Sequence, residues 1–223
     1  MILVTGGFGW KGIEIVEKIK NLNFEKYDKI ITNGFSGFGI SCILLKKLNV
    51  LENTIKYLKP YLNIIDKDYF FIGNIKNCMK LSHNYGNLAY ELKEDNELKI
   101  DLEIELINLK TEEIILKKVG SLKEAFFYST LVPGLRPPFN DFYNTASFTR
   151  TPCYSLLEMK DEEIEIYEIP YEYYKHSTIQ RLYKSIQVIR SKYFYELGIN
   201  KVKSKNRVRV FDLGGNNEKT IQS

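Results

Sequence analysis

Apolar and polar positions change period several times along the chain, and each change marks an element. Ile2-Leu3-Val4 is a short apolar run ended by Gly6-Gly7, which predicts a buried strand. Ile13, Val16, Ile19 and Leu22 then recur at helical spacing with Glu and Lys between them, which predicts an amphipathic helix. Lys29-Ile30-Ile31-Thr32 reads as a second strand. Asn33 to Gly39 reads as a glycine-rich turn, and a helix starts over Ile40 to Leu48. Strand, turn and helix occurring twice in this order predict an α/β fold, with a mostly parallel central sheet flanked by helices.

Residues 50–98 mix helical pieces with polar connections and read as a cap or insertion. From Leu98 to Leu109 the period becomes two. Leu98, Ile100, Leu102, Ile104 and Leu106 alternate with Lys99, Asp101, Glu103 and Glu105, as in a half-buried strand. Thr111-Glu112-Glu113 predicts a turn into a paired strand over Ile114 to Lys117. Ser121-Leu122-Lys123-Glu124 has the form of a capping box opening a helix through Tyr128. Glu163 to Ile169 alternates again, Tyr174 to Leu197 predicts a long amphipathic helix, and Lys201 to Phe211 alternates Lys or Arg with Val, as in an edge strand. These elements predict one domain over 1–213 and a disordered tail over 214–223.

Composition narrows the class. With 44% hydrophobic and 27% charged residues the chain can build an ordinary globular core. A net charge of +4 without dense clustering makes no case for nucleic acid. The three cysteines, Cys42, Cys78 and Cys153, are far apart and form no CxxC. They predict a reducing, cytoplasmic setting with no disulfide framework and no zinc. The N-terminus reads as neither a signal peptide nor a membrane span. The basic positions Lys201, Lys203, Lys205, Arg207 and Arg209 could bring the chain peripherally to an anionic membrane surface, although alternation alone fits a solvated edge strand better. Nothing in the sequence specifies an oligomeric state.

Three segments could carry chemistry. Gly6-Gly7-Phe8-Gly9-Trp10-Lys11-Gly12 lies between a strand and a helix, where outward N–H groups can hold a phosphate or an oxyanion. With Thr5 it also reads as a dinucleotide fingerprint, but the second strand ends at Thr32-Asn33 without the acidic residue that fingerprint needs. Gly34-Phe35-Ser36-Gly37-Phe38 has the form of a nucleophile elbow, with Gly34 and Gly37 as its small residues and Phe38 where a last glycine is expected. The third runs from Gly120 through Ala125, Ser129, Pro133 and Gly134 to Tyr143-Asn144-Thr145-Ala146, with Pro152 eight residues after Asn144.

In this order and spacing the segments resemble the patatin-like phospholipase family over roughly residues 1–170. The resemblance implies a serine lipid acyl hydrolase that needs neither metal nor cofactor and acts on a lipid or small acyl ester. Ser36 would be the nucleophile, with Gly7, Phe8, Gly9, Lys11 and Gly12 forming the oxyanion loop. The family's general-base aspartate falls on Asn144, so Asn-Thr-Ala stands where Asp-Gly-Gly is expected. Asp141, three residues earlier, is the nearest substitute acid. A Ser-Asp dyad needs no imidazole, which suits a chain whose two histidines, His83 and His176, both lie in polar stretches. Asparagine cannot act as a base at neutral pH, and loss of a base costs about 10⁴-fold in rate. Two hypotheses therefore stand: an acyl hydrolase with an unusual acid, and a pseudoenzyme of the same fold that binds a lipid or a protein. A nucleotide-binding protein is the third reading.

Overall fold

The computed structural model describes residues 1–6, 11–67, 83, 92, 97–131, 136–147, 151–168 and 196–213, with 11–14, 58–67 and 147 described through their backbone. The oxyanion-loop residues Gly7, Phe8 and Gly9, most of the helix expected over Tyr174 to Leu197, His176 and the tail after 213 lie outside them.

The elements are β1 (Ile2–Thr5), α1 (Lys11–Ile19), β2 (Lys29–Thr32), α2 (Ser36–Leu44), α3 (Leu48–Lys67), β3 (Glu97–Asn108), β4 (Ile114–Ser121), α4 (Leu122–Ser129), β5 (Phe142–Asn144), β6 (Glu163–Glu168) and β7 (Arg207–Asp212). Strands β3, β2, β1, β6 and β7 lie side by side in that order, each parallel to its neighbour. β4 and β5 pair antiparallel with β3. The α/β fold with its mostly parallel sheet is thus as the sequence predicts.

The sheet is covered on both faces. Leu3, Ile30, Leu102 and Ile104 meet Ile15 and Ile19 of α1, Ile40 of α2 and Ala125 of α4. Ile2, Val4, Ile31, Ile164, Ile166, Val208 and Val210 point the other way, onto Leu156, Ile199 and Val202. Double burial explains why β1 and β2 are continuous apolar runs, since a strand packed on both sides has no position for polar alternation.

β3 is long, at about 3.3 Å per residue, and its length lets two strands share one edge. β2 pairs with Asp101 to Ile104, and β5 then pairs with Leu106 to Asn108. Asn144, opposite Leu106, therefore sits where the chain turns out of β2 toward α2.

Several boundaries differ from the sequence reading. α2 begins at Ser36 rather than Ile40, because buried Phe35 and Phe38 commit this glycine-rich stretch to packing. They meet Phe126 edge to face, with Phe38 and Phe126 centroids 4.9 Å apart. β4 runs on to Ser121, whose hydroxyl caps α4 by accepting from Glu124 N. Residues 201–203 are helical, and strand β7 starts only at Arg207. The five basic positions therefore do not form one strand face. Lys205 donates to Leu157 O, and Arg209 pairs with Glu165 at 2.8 Å. Among the described residues no helix is long and apolar enough to cross a membrane.

Glu165 of β6 is buried but well supported. Tyr27 Oη donates to it at 2.5 Å, and Lys26 reaches it at 2.9 Å. Burial pushes this carboxyl up, yet Tyr27, Lys26 and Arg209 outweigh that and hold it below its ordinary value.

α2 lies close to its neighbours only because of its glycines. A Cβ on Gly39 would fall inside the Val16 side chain of α1. Gly39→Ala is expected to lower stability by about 1–3 kcal/mol in urea titration, and Val16→Ala in the same chain to recover part of that loss. Additive effects of the two substitutions would refute this packing contact.

Candidate functional site

Ser36 follows β2 by a three-residue turn, so the strand–turn–helix placement expected of an elbow is present. Its local geometry differs from that of a working elbow. The one left-handed residue of the turn is Gly34, at φ 60°, while Ser36 opens α2 without positive φ. In a nucleophile elbow the serine itself stands on the strained turn with its hydroxyl presented outward. Here the strain falls on a residue without a side chain. Ser36 is fully buried, and its Oγ donates to Asn33 O at 2.6 Å.

The nearby backbone donors are engaged as well. Gly37 N, the amide that an elbow enzyme turns on its oxyanion, points to Gly34 O at 3.4 Å. Phe38 N donates to Ser129 Oγ at 3.0 Å. A Cβ on Gly37 would lie 2.7 Å from Thr32 Oγ1 and 2.8 Å from Ser129 Oγ, so Gly37 is where α2 presses on the sheet and α4. Phe38, whose bulk is out of place in an elbow, is accommodated because its ring turns into the aromatic cluster with Phe35 and Phe126.

Asn144 is fully buried and uses both ends of its amide. Its Oδ1 accepts from Gly34 N at 2.7 Å and from Ala146 N at 2.9 Å, and its Nδ2 donates to Tyr128 O at 3.0 Å. The structure thus brings Asn144 to the elbow, bonded to the backbone of Gly34. No hydrogen bond joins it to Ser36 among the described residues. Asp141 is not brought to this place. It sits at φ 65° before β5, half-exposed, with its carboxylate on Lys110 Nζ at 2.9 Å. Lys11 and Gly12 open α1.

The sequence reading missed the acid that does lie close by. Glu105 was one polar position among several on an alternating strand, with nothing to separate it from Glu103. In the structure it is fully buried. Its carboxylate accepts from Thr145 Oγ1 at 2.9 Å, from Ser155 N at 2.8 Å and from Ser155 Oγ at 2.6 Å. Thr145 Oγ1 in turn accepts from Asn33 Nδ2 at 3.3 Å. Burial pushes Glu105 above its ordinary value despite these donors. The chain from Glu105 reaches the elbow but is no proton path to Ser36, because the link at Asn33 is a backbone carbonyl. Among the described residues no group of three or more His, Cys, Asp or Glu gathers as metal ligands.

No protein-family model matches the chain, and no curated protein matches it.

The Asn144 bonds need an amide. An aspartate there would set a carboxylate oxygen against Tyr128 O, whereas its protonated form could still donate. Such an acid has a raised folded pKa, so its penalty appears as pH rises above the unfolded value of about 3.9. Asn144→Asp is therefore expected to cost about 3 kcal/mol near neutrality and clearly less near pH 3.5, a pH chosen to lie below that unfolded value, as read from urea midpoints. Equal stability of the two chains at neutral pH would exclude the clamp.

Proposed function

We propose that the chain is a patatin-like α/β protein that binds a lipid or a protein partner without hydrolysing it. Support for the scaffold is the order and spacing of the glycine loop, the Ser36 turn and the Asn144 segment, together with the mostly parallel sheet. The observation that carries the non-catalytic reading is the Asn144 amide. The position at which a general base would stand is filled by a group with no basicity, and both of its ends are spent on backbone. Ser36 agrees with it, since a buried hydroxyl donating to a carbonyl is not poised to attack an ester. The hydrolase reading would need Ser36 to leave Asn33 O, a base to approach it and Gly37 N to turn outward.

A fluorophosphonate probe is accordingly expected to leave Ser36 unlabelled in the folded chain. Asn144→Asp is expected to bring no gain in esterase turnover. Labelling that disappears in Ser36→Ala, or activity that rises in Asn144→Asp, would reinstate the hydrolase.

One observation favours a second reading, nucleotide binding. The parallel strands run β3-β2-β1-β6-β7, the order of a dinucleotide fold. The chain leaves β1 toward β2 on one side and later returns as β6 on the other. Ligands of such sheets bind at the carboxyl end of this switch point, which here is where the Thr5–Gly12 segment joins β1 to α1. Against it, the position after β2 that would meet a ribose hydroxyl is Asn33, buried and bonded to Thr145. This reading predicts a rise in melting temperature with NAD or NADP. An unchanged melting curve at millimolar nucleotide would remove it.

A further inference from the structure

We infer that Glu105 is the sensing group of a pH-sensitive latch that holds the segment 151–158 against the carboxyl end of β3. The contacts made by its carboxylate define the latch. Ser155 gives both its backbone N–H and its hydroxyl to Oε2, while Thr145 gives its hydroxyl to Oε1. The short 3-10 turn Ser155–Glu158, which carries buried Leu156 into the sheet's second face, begins at this contact. A fully buried glutamate is thus a main polar tie between that segment and the sheet.

The two buried glutamates of the sheet differ in a way that assigns the role. Glu165 is met by Lys26 and Arg209, so its charge is neutralised where it lies. Every partner of Glu105 among the described residues is uncharged. Among the described residues the groups facing it are Cys153, Ser155 and the Tyr154 backbone from the latched segment and Thr145 from the turn after β5, with Asn33 behind Thr145. Leu116 lies opposite it on β4. Glu103, two residues back on the same face, is itself taken up by Lys29 at 3.0 Å. No cation among the described residues is placed to answer the charge once Glu105 ionises.

The direction follows from linkage. A carboxyl whose folded pKa lies above its ordinary value of 4.5 is favoured as the neutral acid in the docked state. Docking is therefore strongest below that value and weakens as pH rises toward the folded pKa, where an unpaired buried carboxylate favours release into water. The step moves one proton from the carboxyl to solvent and needs no other reactant.

Cys153 reports on release. It is fully buried, two residues from Ser155, and its Sγ lies against Gly198. Cys42 is equally buried, but between α1, α2, α3 and α4, away from the latch. The full chain is alkylated with N-ethylmaleimide from pH 4.5, the ordinary value of the carboxyl, up to about pH 9, so that the whole upward span from that value is covered. Labelling of each cysteine is resolved by peptide mass spectrometry and divided by its rate in the urea-unfolded chain, which removes the ordinary titration of a thiol. The expected result is a rise of about tenfold or more in the normalised rate of Cys153 across that range, with Cys42 flat and with Glu105→Gln flat at both cysteines. If Glu105→Gln fails the circular dichroism check for folding, Ser155→Ala decides instead. It removes one donor to the carboxylate and is expected to steepen the rise at Cys153. A flat profile in the unsubstituted chain, an equal rise at Cys42, an unaltered rise in folded Glu105→Gln, or an unaltered slope in Ser155→Ala would overturn the latch.

Discussion

At the carboxyl end of β2 three segments have to be fastened where no water reaches, and one side-chain amide fastens them. Asn144 accepts from the turn that leaves β2, accepts again from the turn that follows β5, and donates to the last turn of α4. A buried polar group left unpaired costs about 1–3 kcal/mol, so each of these three backbone atoms needs a partner of the right sense. Only a side chain that both donates and accepts can serve all three at once. That requirement explains an asparagine here in purely structural terms, and the rest of the site follows from it. With Gly34 held in the left-handed region, α2 opens at Ser36, and the serine hydroxyl falls back on Asn33 O.

The sheet also shows how burial and pairing together set the behaviour of an acid. Glu165 of β6 and Glu105 of β3 lie in one sheet with β1 and β2 between them, and both are shut away from solvent. One is surrounded by a phenol, a lysine and an arginine, and its carboxyl is held below the usual range. The other is surrounded by hydroxyls and an amide, and burial wins. Hydrogen bonds from uncharged donors lower the cost of a buried carboxylate without removing it, whereas a nearby cation can.

Packing accounts for what first looked like defects in the Ser36 motif. Phe38 breaks an elbow pattern, yet it completes an aromatic cluster between α2 and α4. Gly37 and Gly39 serve close approach, the first to the sheet and Ser129, the second to Val16. A stretch that resembles a catalytic turn is, in this structure, a helix start built to lie tightly against its neighbours.

The elements themselves could be read along the chain, because period and burial are local properties. A continuous apolar run marked β1 and β2, strict alternation marked β3 and β6, and Ser121 with Glu124 marked the start of α4. The parallel arrangement followed from strands alternating with helices. The place of Ser36 after β2 was legible for the same reason. What Ser36 and its neighbours do there was not. Hydrogen-bond direction depends on residues about a hundred positions apart, as between Gly34 and Asn144. The alternation of β3 marks Glu105 and Glu103 as equivalent, and only the segment folded over the strand end buries one completely and leaves the other on Lys29. Local sequence determined which segments become strands and helices. Tertiary structure alone decided which polar groups lost water and which partner each received in exchange, because that exchange is settled between elements rather than within them.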